Sequence, residues 1–158
     1  MLLLAAALAL QAAPAAPPPG ELSVDPYTRS NANAGAPPFA GDRMLRAFHG
    51  KAGIDHIVDD LVDHIQVDPR ISEILKGQDM VRLRRMLKEQ FCYILDAGCD
   101  YTGRTMQAAH KDMGIQTADV NALIENLQAA MHREHVGFFA QNQFLAKLAP
   151  MKRTTVKQ

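Results

Sequence analysis

The sequence predicts an all-α domain, and three observations carry that prediction. Apolar residues recur at three- and four-residue intervals over 54–65, 80–95 and 117–131, the period of a helix with one buried face. No stretch alternates polar and apolar residues as a half-buried strand would. Helix-starting residues (Asp42, Asp68-Pro69, Asp79, Thr117) and chain-turning glycines (Gly50, Gly77, Gly98) divide the chain into segments of helical length.

Of 158 residues, 47% are apolar, enough for one domain with its own core and too few for two. Lys plus Arg and Asp plus Glu balance at 17 each, so no net field draws the chain to nucleic acid or another polyanion.

In chain order, residues 1–20 read as a signal peptide. The apolar run Leu2 to Leu10 is too short to span a bilayer and is followed by small residues suited to cleavage between Ala9 and Ala16. Export to the periplasm follows from this reading. The run lacks a preceding Lys or Arg, and its alternative is an Ala/Pro extension on a cytoplasmic protein. Residues 21–41 read as a Pro/Ala/Asn-rich linker, a disordered extension in which only Tyr27 and Phe39 are suited to dock. The folded domain then covers 42–151, and 152–158 form a basic, frayed tail.

Within the domain, Asp42 caps a short helix through Phe48, and Gly50 and Gly53 turn a corner. A second helix begins near Ile54. It buries Ile54, Ile57, Val58, Leu61, Val62 and Ile65, while Asp55, Asp59, Asp60 and Asp63 form a solvated face. Asp68-Pro69 opens a short helical turn, Arg70 to Leu75, that ends at Gly77. Asp79 caps a helix whose apolar face is Met80, Leu83, Leu87, Phe91, Ile94 and Leu95. Thr117 caps a long helix carrying Val120, Leu123, Ile124, Leu127, Ala130 and Met131. A last helix places Phe138, Phe139, Phe144, Leu145 and Leu148 before Pro150.

Cys92 and Cys99 are the two cysteines. Seven residues of continuous helix would hold them about 10 Å apart, so they pair only if the helix ends between them. Ala97-Gly98 permits such a break, yet two free thiols are expected, since neither has a metal-site partner at suitable spacing. His49, His56, His64, His132 and His135 show no zinc spacing beyond the i, i+3 pair 132/135.

The chemistry-bearing stretch is Tyr101-Thr102-Gly103-Arg104-Thr105-Met106-Gln107-Ala108-Ala109-His110, followed by Lys111-Asp112-Met113-Gly114-Ile115. It sets a histidine one helical turn after a methionine, on a short segment between two glycines. Neutral imidazole there suits a metal held outside the chain, although the spacing alone is a weak signal. From about Met44 to Met151 the chain resembles the group 1 truncated haemoglobins. The resemblance implies two antiparallel helix pairs stacked as a two-over-two sandwich, with haem b as cofactor. It makes His110 the proximal iron ligand, its second ring nitrogen bonded to a main-chain carbonyl near Met106. It sets Met106, Leu83, Leu87, Val62, Leu75, Ile115 and Leu123 around the macrocycle, with Arg82 and Arg104 as propionate partners.

The distal side departs from the family. Where its members place Tyr and Gln, this chain has Val62 and the trio Leu83, Met86 and Leu87, and the wedging Phe falls at Ile74 or Leu75. None of these side chains donates a hydrogen bond. The implied function is binding of oxygen, carbon monoxide or nitric oxide, or oxygen transport, in an apolar pocket with pentacoordinate or weakly hexacoordinate iron. Two alternatives stand beside it: a redox protein ligated by His110 and Met86, and a haem-free globin-fold interaction domain. Nitric oxide dioxygenase-type activity fits haem with oxygen, but nothing in the pocket favours it. The expected partners are a gas ligand and a reductase, with no nucleic acid and no membrane span, in a monomer or weak dimer.

Overall fold

The computed structural model describes residues 16–156, so residues 1–15 of the signal expected over 1–20 lie outside the described residues. Among these residues the helices are α1 (Arg43–Ala47), α2 (Gly50–Ile65), α3 (Ser72–Leu75), α4 (Met80–Ile94), α5 (Met106–His110), α6 (Thr117–Arg133), α7 (Phe138–Leu148) and α8 (Lys152–Thr155). A 3-10 turn at Asn31–Ala34 precedes them and another, Ala149–Met151, joins α7 to α8; no strand occurs among the described residues.

The two-over-two arrangement is centred on α2, which packs on both α4 and α6, while α4 and α6 have little contact with each other. The α2 stripe read from the sequence is the core: Ile54, Ile57, Val58, Leu61, Val62 and Ile65 are all buried. Phe144 of α7 closes it, with ring centroids 5.0 Å from Phe48 and 4.9 Å from Phe91 in edge-to-face contacts. The helix starts at Gly50 rather than near Ile54, because the chain reverses through left-handed His49 (φ 58°) and Gly50 (φ 70°). Gly53 is required there, since a Cβ would stand 2.1 Å from the Phe48 carbonyl oxygen.

Three caps differ from expectation. Asp42 makes no cap hydrogen bond and pairs instead with Arg46. Asp68 does not cap α3; it accepts from the Arg70 backbone (3.0 Å), the Arg70 guanidinium and Asn126 of α6 (2.7 Å), so it ties this corner to α6. Those bonds, from Arg70 first, hold its carboxyl well below the usual range. The α6 cap is Gln116 in a capping box with Asp119, one residue ahead of Thr117.

The acidic face of α2 is not simply solvated. Arg84 reaches Asp59 and Asp63, Lys88 reaches Asp59, and Arg133 reaches Asp60, so α4 and α6 are each cross-linked to α2. Burial pushes the Asp59 carboxyl up, but hydrogen bonds from Arg84 and Lys88 outweigh it and the net shift is downward. Phe138 and Phe139 are exposed, at 78% and 58%, because the inward stripe of α7 is Ala140, Gln141 and Phe144.

Cys92 and Cys99 form a disulfide, which corrects the expectation of free thiols. After α4 ends, left-handed Asp96 (φ 59°) and Gly98 (φ 78°) fold the chain back and bring the two Cα atoms to 5.6 Å.

The segment read as a linker lies along the domain. Glu21, Tyr27, Asn31, Asn33 and Ala34 all bond to α4 or to residues 100–103. The two aromatic residues expected to dock do so: Tyr27 bonds to the Thr102 carbonyl, and the Phe39 amide donates to the Ile94 carbonyl at 2.8 Å. The described part of the basic tail, residues 152–156, likewise joins the domain, with α8 packed against α5.

Candidate functional site

Thr105 starts α5 by accepting from the Ala108 amide at 3.2 Å, and the helix ends after one turn and a half at His110. So short a helix has little stability of its own, and its neighbours must hold it. His110 is half-buried. Its Nδ1 donates to the Met106 carbonyl at 2.7 Å, the partner expected from the sequence. That bond sets the tautomer with the proton on Nδ1, and Nε2, a lone-pair donor, has no hydrogen-bond partner among the described residues.

A cavity of about 480 Å³ borders His110. Thr105, Gln107, Ala108 and Lys111 line it from the α5 side, Gly114 and Ile115 from the following loop, and Thr154 and Thr155 from α8. Ile115 lines the same cavity as His110, while Leu83, Leu87 and Leu123 lie outside this lining. The leucines instead sit half-buried at the edge of the core, along with Ile74 and Leu75 of α3 and Met80 of α4. Val62 is fully buried in the core itself.

These residues fit a haem by their chemistry. A free imidazole nitrogen in a fixed tautomer supplies one axial donor, and half-buried leucines on helices that share α2 but hardly touch each other offer apolar surface for a flat ring. Among the described residues, no group of three or more His, Cys, Asp or Glu stands together as a metal set. His49 and His56 both approach Glu134, at 3.5 and 3.3 Å, as partly exposed surface pairs.

Met86 and the two arginines are engaged elsewhere. The Met86 thioether lies against Gly103, where a Cβ would stand 2.9 Å from its sulfur, so it faces the approach to α5 and not the core. Arg82 donates to the Tyr27 hydroxyl at 2.8 Å and stands 3.5 Å from the Glu21 carboxylate. Arg104 lies over the Tyr27 ring, 5.6 Å from its centroid. The cations expected to meet propionates therefore meet the N-terminal segment. Met106 packs against Gln90, whose amide stands 3.3 Å from the Met106 sulfur and donates to the Ala34 carbonyl at 2.8 Å.

Sequence reasoning missed a partly buried polar cluster on the approach to this helix. Arg85 holds Glu21 through two guanidinium nitrogens, Glu89 at 2.6 Å and the Thr102 hydroxyl at 2.9 Å, and Glu89 accepts from both the amide and hydroxyl of Thr102. The Arg85 bonds outweigh burial and lower the Glu21 carboxyl, and the same bond raises Arg85. Buried Tyr101 bonds to the Arg104 carbonyl at 3.2 Å, and desolvation pushes its hydroxyl up to about 12. The signal for this cluster was the i, i+4 pair Arg85/Glu89, which reads equally well as a solvated surface pair.

A family model described as "Bacterial-like globin" matches residues 45–157. Curated relatives include the group 1 truncated hemoglobin GlbN of Nostoc commune, 28% identical over 52% of this chain and 70% of the relative. The group 1 truncated hemoglobin of Tetrahymena thermophila is 27% identical over 52% of this chain and 68% of its own. Among solved structures, the Fe(III) form of the truncated hemoglobin from Tetrahymena pyriformis superposes with a TM-score of 0.70 at 21% identity, covering 73% of this chain and 98% of that one. The 2/2 hemoglobin from Synechococcus sp. PCC 7002 gives 0.67 at 19% identity, with coverages of 73% and 98%. With a family match over most of its length and the fold to go with it, this chain belongs to the bacterial-like globins, a haem-binding family, and resembles their group 1 truncated haemoglobins.

Proposed function

We propose that this chain binds haem b through Nε2 of His110 and takes oxygen, carbon monoxide or nitric oxide on the opposite face, in a pocket without a hydrogen-bond donor. The observation that carries the reading is the His110 Nδ1 to Met106 carbonyl bond at 2.7 Å, which leaves the other ring nitrogen free to ligate. When bound, haem supplies an iron with one position open to a diatomic ligand. The chain would supply the rest: His110 the nitrogen ligand, and the half-buried Leu83 and Leu87 an apolar, water-excluding wall, with Val62 buried in the core. Oxygen carries partial negative charge when held, and each absent donor withdraws about 1.5–3 kcal/mol of stabilisation. Carbon monoxide and nitric oxide depend less on such donors, so the pocket shifts preference toward them. Gln90, whose amide is a donor on α4, is engaged by Ala34 and Met106. Closure of the sixth position by Met86 has less support, since its sulfur packs against Gly103.

Export belongs to the same proposal. The Cys92–Cys99 bond supports it, because disulfides persist in oxidising compartments and are rare in reducing ones. No helix among the described residues is long and apolar enough to cross a membrane. Mass analysis of the protein from its native source is expected to show loss of the N-terminal residues, and an intact Met1 overturns this part.

Titration of the purified protein with hemin tests the main reading. A saturating Soret band at one haem per chain is expected from the native sequence, and none from His110→Ala, with the band restored by added imidazole. An unchanged Soret band in His110→Ala overturns the assignment.

A further inference from the structure

We infer that residues 21–35 form a strap whose task is to position the proximal histidine, with Glu21, Tyr27, Asn31 and Gly35 as its positioning residues. The inference rests on the haem reading above for its purpose, but its geometry stands on the protein alone.

The strap touches each residue from Asp100 to Arg104 on the approach to α5. Asn31 donates to the Asp100 carboxylate at 2.9 Å and accepts from the Tyr101 amide at 2.7 Å. The Tyr27 hydroxyl donates to the Thr102 carbonyl at 2.7 Å, and the Asn33 amide donates to the Gly103 carbonyl at 3.1 Å. Arg104 stacks on the Tyr27 ring. Glu21, with a side chain only 1% exposed, anchors the other end by pairing with Arg85, which itself holds Thr102.

The strap then passes directly against α5. Gly35 takes a left-handed φ of 84°, and a Cβ on it would stand 2.9 Å from Met106 Cγ and 3.0 Å from the Met151 methyl and sulfur. Only glycine brings backbone this close to Met106 at that φ. The Met106 carbonyl is the acceptor that orients His110. Among the described residues, α8 is the helix with which α5 packs substantially, so strap and α8 together hold it against the domain. A backbone shift of a few tenths of an ångström at Met106 moves His110, and with it the axial donor.

The test uses the full chain and two mild variants, Tyr27→Phe, which keeps the ring and removes the two hydrogen bonds of the hydroxyl, to the Thr102 carbonyl and from Arg82, and Asn31→Ala. Gly35→Ala is the stronger third. Two readouts are taken: amide hydrogen exchange of the haem-free protein, and the rate of haem loss to an excess of a haem-scavenging apoglobin. Faster exchange confined to residues 100–110, with α2 and α6 unchanged, and haem loss about tenfold faster are expected. Unchanged exchange at 100–110 overturns the strap's role. Exchange that rises equally in α2 and α6 also overturns it, since the strap then serves general stability. If no variant and no native protein takes haem, the haem reading fails, while localised exchange still supports the strap's hold on the His110 segment.

Discussion

The two sides of His110 are built by different physics. On the core side, α2, α4, α6 and α7 meet through apolar side chains at helical spacing, and Phe48, Phe91 and Phe144 interlock there. On the other, α5 and its approach are held by polar bonds from a segment about 70 residues earlier and by a disulfide. The first side is non-directional and tolerates small shifts. The second fixes individual backbone atoms, which suits a part of the molecule that, in the function proposed above, presents one nitrogen in one place.

The largest break in this comparison comes from the core. Phe144→Ala removes a fully buried ring with two aromatic partners, and a loss of about 3–5 kcal/mol is expected. Denaturant unfolding monitored by circular dichroism checks it. If the loss stays below about 1 kcal/mol, the domain is not held chiefly by this cluster.

Next is the disulfide. It closes a short loop of sequence separation 7 between the end of α4 and the strap's first target, Asp100. Loop-closure entropy for so few residues gives about 2 kcal/mol. Cys99→Ser is expected to lower stability by that amount and to raise hydrogen exchange first over 95–104. Equal loosening of α2 would mean that the bond braces the whole domain rather than the proximal side.

The same contrast explains what was legible in the sequence. Ile54 to Ile65 and Met80 to Leu95 were readable as buried faces because each helix repeats its signal every turn, so errors of one residue average out. The caps missed by one or a few residues, as at Gln116, because several polar residues there compete equally. The bond from His110 to the Met106 carbonyl was legible through their one-turn separation, and the ligand role proposed for His110 came from the family resemblance. The strap was not, because its contacts are single polar atoms distant in sequence, and a Pro- and Asn-rich stretch of low apolar content has the composition of a linker. Glu21 in particular gives no local sign that Arg85 awaits it. The disulfide depended on Asp96 taking a left-handed φ, which its neighbours in sequence do not dictate. Arg82 and Arg104 were read as rim cations free for a ligand, and the missing knowledge was again the strap.

The smallest expected effect sharpens the comparison most, because it concerns function and leaves the fold intact. Leu87 is half-buried on the apolar face of α4, while Gln90, nearly one turn on, is turned toward the strap and holds Ala34. The chain thus carries a glutamine on this helix but uses it on the proximal framework. Leu87→Gln sets an amide nearly one turn before Gln90, about 60° round the helix from it, at similar volume, where on the proposed reading its N–H donates to a bound diatomic ligand. One such bond at about 1.4 kcal/mol corresponds to one decade in rate, so oxygen is expected to dissociate about tenfold more slowly, with carbon monoxide release changed far less. Stopped-flow dissociation of both gases decides it. Equal slowing of both would mean that the substitution acts by closing the exit path. No change in either would mean that the Leu87 position does not face the ligand, and the description of this side as a donor-free wall would then have to be rebuilt around other residues of α2 and α4.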